Sequence, residues 1–287
     1  MKSPAKINVF LKITGKKNGY HELISRFVRI DELFDEVFLI PKKLAKNYHE
    51  KLVDETNFSD FSDDFSKIKS IQIENALPKT SLKTTDLIMD RYYLLNDNLV
   101  SNFDAPNNIF DKVLSLVPSD LATFFRQNYA IFLHKNIPTF AGCGGASSNA
   151  ATFIKLLNNV QHFDTKKIAS LSGADVSFFE SGFSVANVSG YGEKISEFKE
   201  DKINFKLYFS SNSSTKEVFN EFSKNPVYYD KTDLLELTSQ ELLSNFSNYF
   251  LNDLLNPCIN LYPKALFLAQ KGLFLSGSGG TFFDFSK

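Results

Sequence analysis

The sequence contains no tryptophan and little sulfur, since its 287 residues include two cysteines and two methionines. Two cysteines do not make the framework of a disulfide-rich secreted domain. The four histidines show neither an HExxH motif nor a Cys/His ligand spacing, so we expect no zinc site and assign no metal ligand. Thirteen glycines and nine prolines are too few for a collagen-like or low-complexity chain.

An excess of charge and long apolar runs are also missing. With 32 basic and 33 acidic residues the net charge is -1, so we expect no nucleic-acid partner. The apolar run at 7–13 is interrupted by Asn8 and Lys12, which predicts neither a signal peptide nor a membrane span of about 20 apolar residues. We therefore expect a cytoplasmic globular protein with roughly two domains of about 150 residues each.

Hydrophobic patterning predicts a mixture of strands and helices. Short apolar or alternating segments predict strands, at 7–13, 129–134, 273–275 and 281–285, with two more inside 23–40. Apolar residues at helical spacing predict helices, at 108–117, 149–159 and 261–269. The polar stretch 42–85 is interpreted as a surface excursion with a short strand at 68–73. Because the elements follow no strict βαβα order, the pattern favours the α+β class.

The segment Ala141–Asn149, with the sequence AGCGGASSN, is the most informative part of the chain. Glycines let backbone N–H groups approach an anion, and a following helix adds free N–H groups and the positive end of its dipole. The hydroxyls of Ser147 and Ser148 are suited to phosphate oxygens or to magnesium. A glycine-rich turn with a serine N-cap is an equally good explanation, so the loop alone leaves both interpretations open.

Two common phosphate-binding motifs do not fit this loop. The chain contains no GxxxxGK[ST] sequence, which excludes a Walker loop. A dinucleotide-binding GxGxxG motif needs glycine where Ser147 stands, and it needs the strand to end at the loop. Here the residues 135–141, with Pro138 among them, separate the predicted strand from the glycines.

Three segments taken together resemble the GHMP kinases. They are PAKINVFL at 4–11 continued by GYHEL at 19–23, the segment 137–151 around the glycine-rich loop, and SGSGG at 276–280. GADVSFF at 173–179 and the residues 252–254 are also similar to the family, and the match runs from position 4 to about 281 without the stretch 42–85. The pairing of PAK with GYH resembles the branch in non-mevalonate isoprenoid biosynthesis whose alcohol substrate carries a diphosphocytidyl group.

The resemblance implies a two-lobed α+β kinase with its active site in the cleft between the lobes. It assigns an N-terminal ATP-binding domain to residues 1–155 and a C-terminal substrate-side domain to residues 156–287. The implied ligands are ATP with Mg²⁺ and a small-molecule alcohol, with no membrane and no nucleic acid as partner. The oligomeric state is left open.

The resemblance also assigns roles to single residues. Asp175 is the implied base for the substrate hydroxyl, and Lys6 is the implied charge stabiliser. The residues implied in ATP binding are Asn108, Lys135, Pro138, Ala141, Gly142, Cys143, Gly144, Gly145, Ala146, Ser147, Ser148 and Asn149. Those implied in binding the cytidine group are Asn8, Tyr20, His21 and Phe27. Without the resemblance, Lys6 is an ordinary solvated charge and Asp175 a turn or cap residue.

The loop departs from the family at three positions, where Phe140, Cys143 and Ala146 replace the usual glycine, leucine and glycine. Ala146 restricts the backbone only if its φ must be positive. We interpret Cys143 as a packing residue and expect the helix dipole to lower the pKa of its thiol.

Two other functions are compatible with the loop. The first is a GHMP kinase for homoserine, mevalonate or a sugar, against which Gly19-Tyr20-His21 argues. The second is a non-catalytic nucleotide-binding regulator, against which the presence of both Lys6 and Asp175 argues.

Overall fold

The fold is organised around a long β-hairpin. The computed structural model describes residues 1–42, 91–95 (backbone), 108–210 and 213–285. Strands β1 (Lys2–Lys17) and β2 (Tyr20–Pro41) pair antiparallel. Asn18 and Gly19 connect them with φ angles of 51° and 81°. Positive φ at both positions belongs to the two-residue turn whose twist matches that of the paired strands.

The prediction of two strands within 23–40 is wrong, because β2 is continuous through this region. Its register against β1 shifts between Pro4 and Ala5, which pair with Phe34 and Ile30. The residues 31–33 therefore bulge out of the pairing, and the charged Asp31 and Glu32 are exposed there. A β-bulge places this polar interruption in solvent without ending the strand.

The described strands form two sheets, and the hairpin belongs to the larger one. In the larger sheet, β3 (Arg91–Leu95), β4 (Tyr129–Lys135), β2, β5 (Val185–Gly190) and β6 (Lys194–Glu197) lie side by side in that order, and β1 pairs with β2. The smaller sheet has the order β7-β9-β8, formed by β7 (Phe205–Phe209), β8 (Phe274–Leu275) and β9 (Thr281–Phe285). The strands predicted at 7–13, 129–134, 273–275 and 281–285 are thus confirmed.

Helices cover the sheets and confirm the α+β class. They are α1 (Ile109–Leu116), α2 (Ser119–Asn128), α3 (Gly145–Asn158), α4 (Thr165–Ser172), α5 (Val176–Ser181), α6 (Thr215–Phe222), α7 (Ser239–Asn245), α8 (Asn248–Leu251), α9 (Leu255–Leu261) and α10 (Lys264–Gln270). A 3₁₀ turn spans Asp233–Leu235. In the described ranges, no helix is long and apolar enough to traverse a bilayer.

The three predicted helices are confirmed, as α1, α3 and α10, but α3 begins inside the glycine-rich loop. The start of the third differs from the prediction: Leu261 ends α9, and a break in the helical conformation at Tyr262 delays the start of α10 to Lys264. Pro263 causes the break, since proline disfavours a helical conformation of the residue before it. Except for Lys42, the predicted excursion 42–85 lies outside the described residues.

The hydrophobic core has separate parts on the two sides of the β-hairpin. Helices α1 to α5 pack against the larger sheet through Phe110, Phe125, Phe153 and Phe178. A second cluster joins β1 to the smaller sheet, with Phe10 and Phe283 at its centre. The boundary expected after residue 155 stays a prediction, and the larger sheet takes strands from both sides of it.

A buried arginine ties the hairpin to the C-terminal half of the chain. The Nε of Arg26 donates to Asn187 Oδ1 at 2.6 Å, and its Nη2 donates to the carbonyl oxygens of Leu235 and Leu237 at 2.9 and 3.0 Å. Its Nη1 lies 3.6 Å from a carboxylate oxygen of Glu200. Burial lowers the pKa of Arg26 to about 10, so the guanidinium remains charged at neutral pH.

Both cysteines are buried and unpaired. The Sγ of Cys143 lies 3.1 Å from Thr281 Oγ1, in the core cluster between β1 and the smaller sheet. This agrees with a packing role for Cys143, but the expectation of a lowered thiol pKa is wrong. Burial raises the pKa of Cys143, because desolvation of the thiolate outweighs the favourable charges nearby. Burial also raises the pKa of Cys258, to about 12.

The buried contacts of Arg26 predict that its replacement by methionine causes a large loss of stability. Glu200 would keep a carboxylate that is 4% exposed and has lost its charge partner. We expect the free energy of unfolding in urea to fall by about 3–5 kcal/mol. The control is Arg126→Met, which removes a pair with Asp111 that is 45% and 63% exposed. That change should cost at most about 1 kcal/mol, and equal losses in the two variants would contradict the assignment.

The buried thiols predict resistance to alkylation. In the native protein at pH 8, iodoacetamide should modify neither Cys143 nor Cys258, because both are shielded and protonated. In urea both should react. Intact-protein mass spectrometry counts the adducts, and rapid modification of Cys143 in the folded protein would refute the packing role.

Candidate active site

A cavity of about 730 Å³ opens beside the glycine-rich loop. Residues from distant parts of the sequence line it together. Of the residues predicted for the site, the lining includes Lys6, Asn8, Phe27, Asn108, Lys135, Pro138, the loop residues 141–147, Asn149 and Asp175. The SGSGG segment contributes Gly277 and Ser278. The structure therefore brings the three family-like segments into one site.

The two residues predicted for catalysis are in direct contact. The Nζ of Lys6 lies 3.2 Å from Asp175 Oδ2 and donates to Asn8 Oδ1 at 2.5 Å. It also lies 4.5 Å from the centre of the Phe27 ring. The side chain of Lys6 is 5% exposed and that of Asp175 is 28% exposed. The ammonium is thus held at the base of the site, and the carboxylate is the more accessible member of the pair.

Local structure explains how this pair is presented. Lys6 and Asn8 are two residues apart on β1, so their side chains point to the same face of the sheet. Asp175 immediately precedes α5, and within the described residues its side chain makes no capping bond to that helix. The carboxylate is therefore available to a ligand in the cavity.

The glycine-rich loop packs tightly against both lysines of the site. Gly144 has a φ of 70°, and α3 begins at the next residue. A Cβ at Gly144 would lie 3.0 Å from the Phe179 ring and 3.1 Å from Lys6 Cε, and a Cβ at Gly145 would lie 3.1 Å from the Ile137 side chain and 3.2 Å from Lys135 Nζ. Only glycine fits these contacts without displacing a neighbour. The loop, the start of α3 and both lysines line the same cavity, and free N–H groups at a helix N-terminus together with ammonium groups suit an anion.

The SGSGG loop at 276–280 supports the first loop by backbone contact. A Cβ at Gly142 would clash with the carbonyl oxygen of Gly279, and one at Gly280 would lie 2.7 Å from Ala141 Cα. The side-chain amide of Asn252 donates to the carbonyl groups of residues 275 and 277, at 2.9 Å each. Glycines and one buried amide thus set the spacing of the two loops.

The departures from the family pattern have different consequences. Phe140 has a φ of 58°, in the left-handed region that favours glycine, and its side chain is 69% exposed. Its carbonyl oxygen accepts from the Ser213 N–H at 3.1 Å, which helps to hold this conformation. Ala146 lies in the first turn of α3, where φ is negative and alanine is favourable. The loop geometry is therefore strained at Phe140 and unstrained at Ala146.

The two serines that end the loop face different ways. Ser147 lines the cavity, whereas Ser148 is buried and its Oγ accepts from Ser3 Oγ at 2.8 Å. Successive helical residues point about 100° apart. Of the two hydroxyls, only that of Ser147 therefore faces a ligand in the cavity. Asn108 also lines the cavity, and its side-chain oxygen accepts from the Phe110 N–H at 3.1 Å as the N-cap of α1.

The residues predicted for the cytidine group divide into two pairs. Asn8 and Phe27 line the cavity, but Tyr20 and His21 are not among the described lining residues. Tyr20 is 71% exposed, and its ring centre lies 6.0 Å from that of Tyr191.

The His21 ring lies between two aromatic rings of α6. It stacks on Phe219 at 5.7 Å, and its Nε2 is 2.8 Å from Ser223 Oγ. Burial lowers the pKa of His21. Tyr191 and Phe219 line the cavity themselves, so Tyr20 and His21 lie directly behind lining residues that the sequence did not identify.

A buried carboxylate beneath the loop also escaped the sequence analysis. Asp35 is fully buried in β2. It accepts from Lys135 Nζ at 2.6 Å, from the N–H groups of Asn136 and Ile137 at 2.8 Å each, and from Asn149 Nδ2 at 2.9 Å. The sequence contains only a weak indication that Asp35 is important: it is an acidic residue within an apolar segment predicted as a strand.

Comparisons with known proteins agree with this geometry. No protein-family model matches the sequence. The 4-diphosphocytidyl-2-C-methyl-D-erythritol kinase of Campylobacter jejuni (strain 81116) is 35% identical over 99% of this chain and 98% of its own length. The enzymes of the same name from Sulfurimonas denitrificans and Helicobacter pylori (strain J99) are 34% and 30% identical, over 97% of this chain and 94% and 91% of their own lengths.

A solved structure supports the same fold. The crystal structure of a 4-(cytidine 5'-diphospho)-2C-methyl-D-erythritol kinase superposes with a TM-score of 0.66, at 21% sequence identity, over 100% of this chain and 90% of that one. Full-length similarity to curated relatives, together with this shared fold, shows that the chain belongs to the 4-diphosphocytidyl-2-C-methyl-D-erythritol kinase family.

Proposed function

We propose that this chain transfers the γ-phosphoryl group of ATP to the 2-hydroxyl of 4-diphosphocytidyl-2-C-methyl-D-erythritol, a step of non-mevalonate isoprenoid biosynthesis. One observation carries the proposal. Lys6 and Asp175, remote in the sequence, lie 3.2 Å apart in the cavity that the glycine-rich loop borders. Curated relatives with this enzyme name support the choice of reaction.

The proposed chemistry divides between the ammonium and the carboxylate. Asp175 accepts the proton of the attacking hydroxyl, for which its accessible position in the cavity is suited. Lys6 compensates the negative charge of the carboxylate and of the phosphoryl group in transit. Phosphoryl transfer proceeds through a loose transition state, so correct placement of the hydroxyl contributes more than a strong base does.

The glycine-rich loop is the proposed site of the triphosphate. The loop residues 141–147, the start of α3 and both lysines line one cavity, which fits an anionic group. Lys135 is the cation proposed for the phosphates. Magnesium bound with ATP would neutralise part of the phosphate charge, and Ser147, which lines the cavity, would be the hydroxyl available to hold it. In the described ranges no three His, Cys, Asp or Glu side chains group as a metal site.

The acceptor substrate is proposed to lie along β1 and the start of β2. Asn8 and Phe27 border the catalytic pair. Tyr20 would reach the cytidine group beside Tyr191, and His21 would reach it beside Phe219. In this arrangement residues 1–155 supply Lys135 and the loop for ATP, while residues 156–287 supply the base. The acceptor alcohol is the only partner that we propose besides ATP.

An assay of ADP release tests the reaction against its alternatives. Purified chain, ATP and magnesium are combined in a coupled assay with the diphosphocytidyl substrate, homoserine, mevalonate or a sugar. We expect turnover with the diphosphocytidyl substrate only. Turnover with one of the other alcohols would identify a different GHMP kinase, and no ADP release with any of them would indicate a nucleotide-binding regulator.

The catalytic pair predicts two inactive but folded variants. Asp175→Asn removes the proton acceptor and Lys6→Ala removes the charge, so each should lower kcat by about 100-fold or more. Circular dichroism should show an intact fold. Matched controls on exposed helical positions, Asp120→Asn and Lys112→Ala, should keep wild-type kcat. Near-normal turnover in either test variant would remove that residue from the mechanism.

A further inference from the structure

Asp35 collects hydrogen bonds from both ends of the nucleotide loop. Lys135 is the last residue of β4, and Asn136 and Ile137 begin the loop that follows. Asn149 is in the first turns of α3, after the glycines. A single buried carboxylate thus fastens the loop where it leaves the sheet and where it enters the helix.

Charge also links Asp35 to Lys135. Both side chains are buried, with Asp35 fully enclosed and Lys135 9% exposed. A buried charge without a partner is strongly destabilising, so each of the two requires the other. Elsewhere in the described chain, Lys12 and Asp253 form a comparable buried pair, but they lie outside the segment 135–149.

The bond to Asp35 also orients the Lys135 ammonium. An ammonium has three N–H donors, and the bond to Asp35 occupies one of them. Lys135 lines the cavity, and its Nζ lies 3.2 Å from the space that a Cβ on Gly145 would fill. A free lysine side chain loses rotamer entropy when a ligand immobilises it. Held by Asp35, Lys135 has already lost this freedom before a phosphate arrives.

We propose that Asp35 is a positioning residue for the nucleotide: it fixes the Lys135 ammonium and the N-terminal turn of α3 in the arrangement that receives the triphosphate. The proposal rests on the function proposed above, because it takes the loop as the ATP site. Asp35 itself lies beneath the loop and is not among the described residues that line the cavity. Its effect on the ligand therefore passes through Lys135 and the loop backbone.

Asp35→Asn is the test variant, since it keeps the size of the side chain and removes its charge. One amide oxygen can still accept the N–H groups of Asn136 and Ile137, whereas the amide nitrogen would face the donors Lys135 and Asn149. We expect the Kd for ATP, measured by calorimetry, and the KM for ATP to rise at least 10-fold. The KM for the acceptor alcohol should stay within about 2-fold of the wild-type value.

A double-mutant cycle separates positioning from general stability. Because part of the effect of Asp35 passes through Lys135, the Asp35→Asn change should raise the Kd for ATP by a smaller factor in a Lys135→Met background than in the wild-type chain. The control is Asp253→Asn, which breaks the buried pair with Lys12 and should lower Tm without changing the Kd for ATP. If Asp35→Asn does not fold, Asp35→Glu, which keeps the charge but displaces it, should weaken ATP binding by an intermediate factor.

Several outcomes would overturn the proposal. They are an unchanged Kd for ATP in Asp35→Asn, an equal rise in the KM of both substrates, or an effect of the same size with and without Lys135. Because calorimetry reads ATP binding without turnover, it tests Asp35 even if the acceptor substrate is wrong. Absence of ATP binding by the wild-type chain would instead reject the proposed function.

Discussion

Lys6 is the residue on which the geometry of the site depends. Its backbone N–H donates to the carbonyl oxygen of Cys143 at 3.0 Å, which joins β1 to the glycine-rich loop. Its ammonium contacts Asp175 and Asn8, and its Cε lies against the space beside Gly144. One residue of β1 therefore sets the distances between the loop, the Asp175 carboxylate and the Asn8 side chain. A β-strand paired along most of its length is a rigid support for this role.

Around Lys6, close backbone packing sets the shape of the cavity, whereas a buried ion pair supports the loop from beneath. The glycine-rich loop and the SGSGG loop approach so closely that a side chain at Gly142 would strike the backbone of Gly279. This contact sets the shape of the cavity. Asp35 and Lys135 form a buried pair under the loop, and each would be costly without the other. Both features limit the ways in which the site can rearrange, and catalysis by placement depends on such a limit.

Much of the fold followed from the sequence, because strand alternation and helical spacing are local properties. The two differences have different causes. In β2 a bulge formed by pairing with β1 absorbs Asp31 and Glu32, which no local pattern indicates. At the start of α10 the cause is local, because Pro263 disfavours a helical conformation at Tyr262 although the apolar spacing continues through it. The proposed catalytic pair, Lys6 and Asp175, came from the family resemblance, since nothing local distinguishes Asp175 from a turn residue. Asp35 was missed because its importance comes from partners that meet it only in the folded chain.

The most direct measurement is a crystal structure of the chain with the diphosphocytidyl substrate, magnesium and a non-hydrolysable ATP analogue. The account predicts the acceptor 2-hydroxyl within hydrogen-bond distance of the Asp175 carboxylate, with the triphosphate against residues 141–147 and the Lys6 ammonium between the two. A hydroxyl directed away from Asp175, or a triphosphate bound outside this loop, would contradict it.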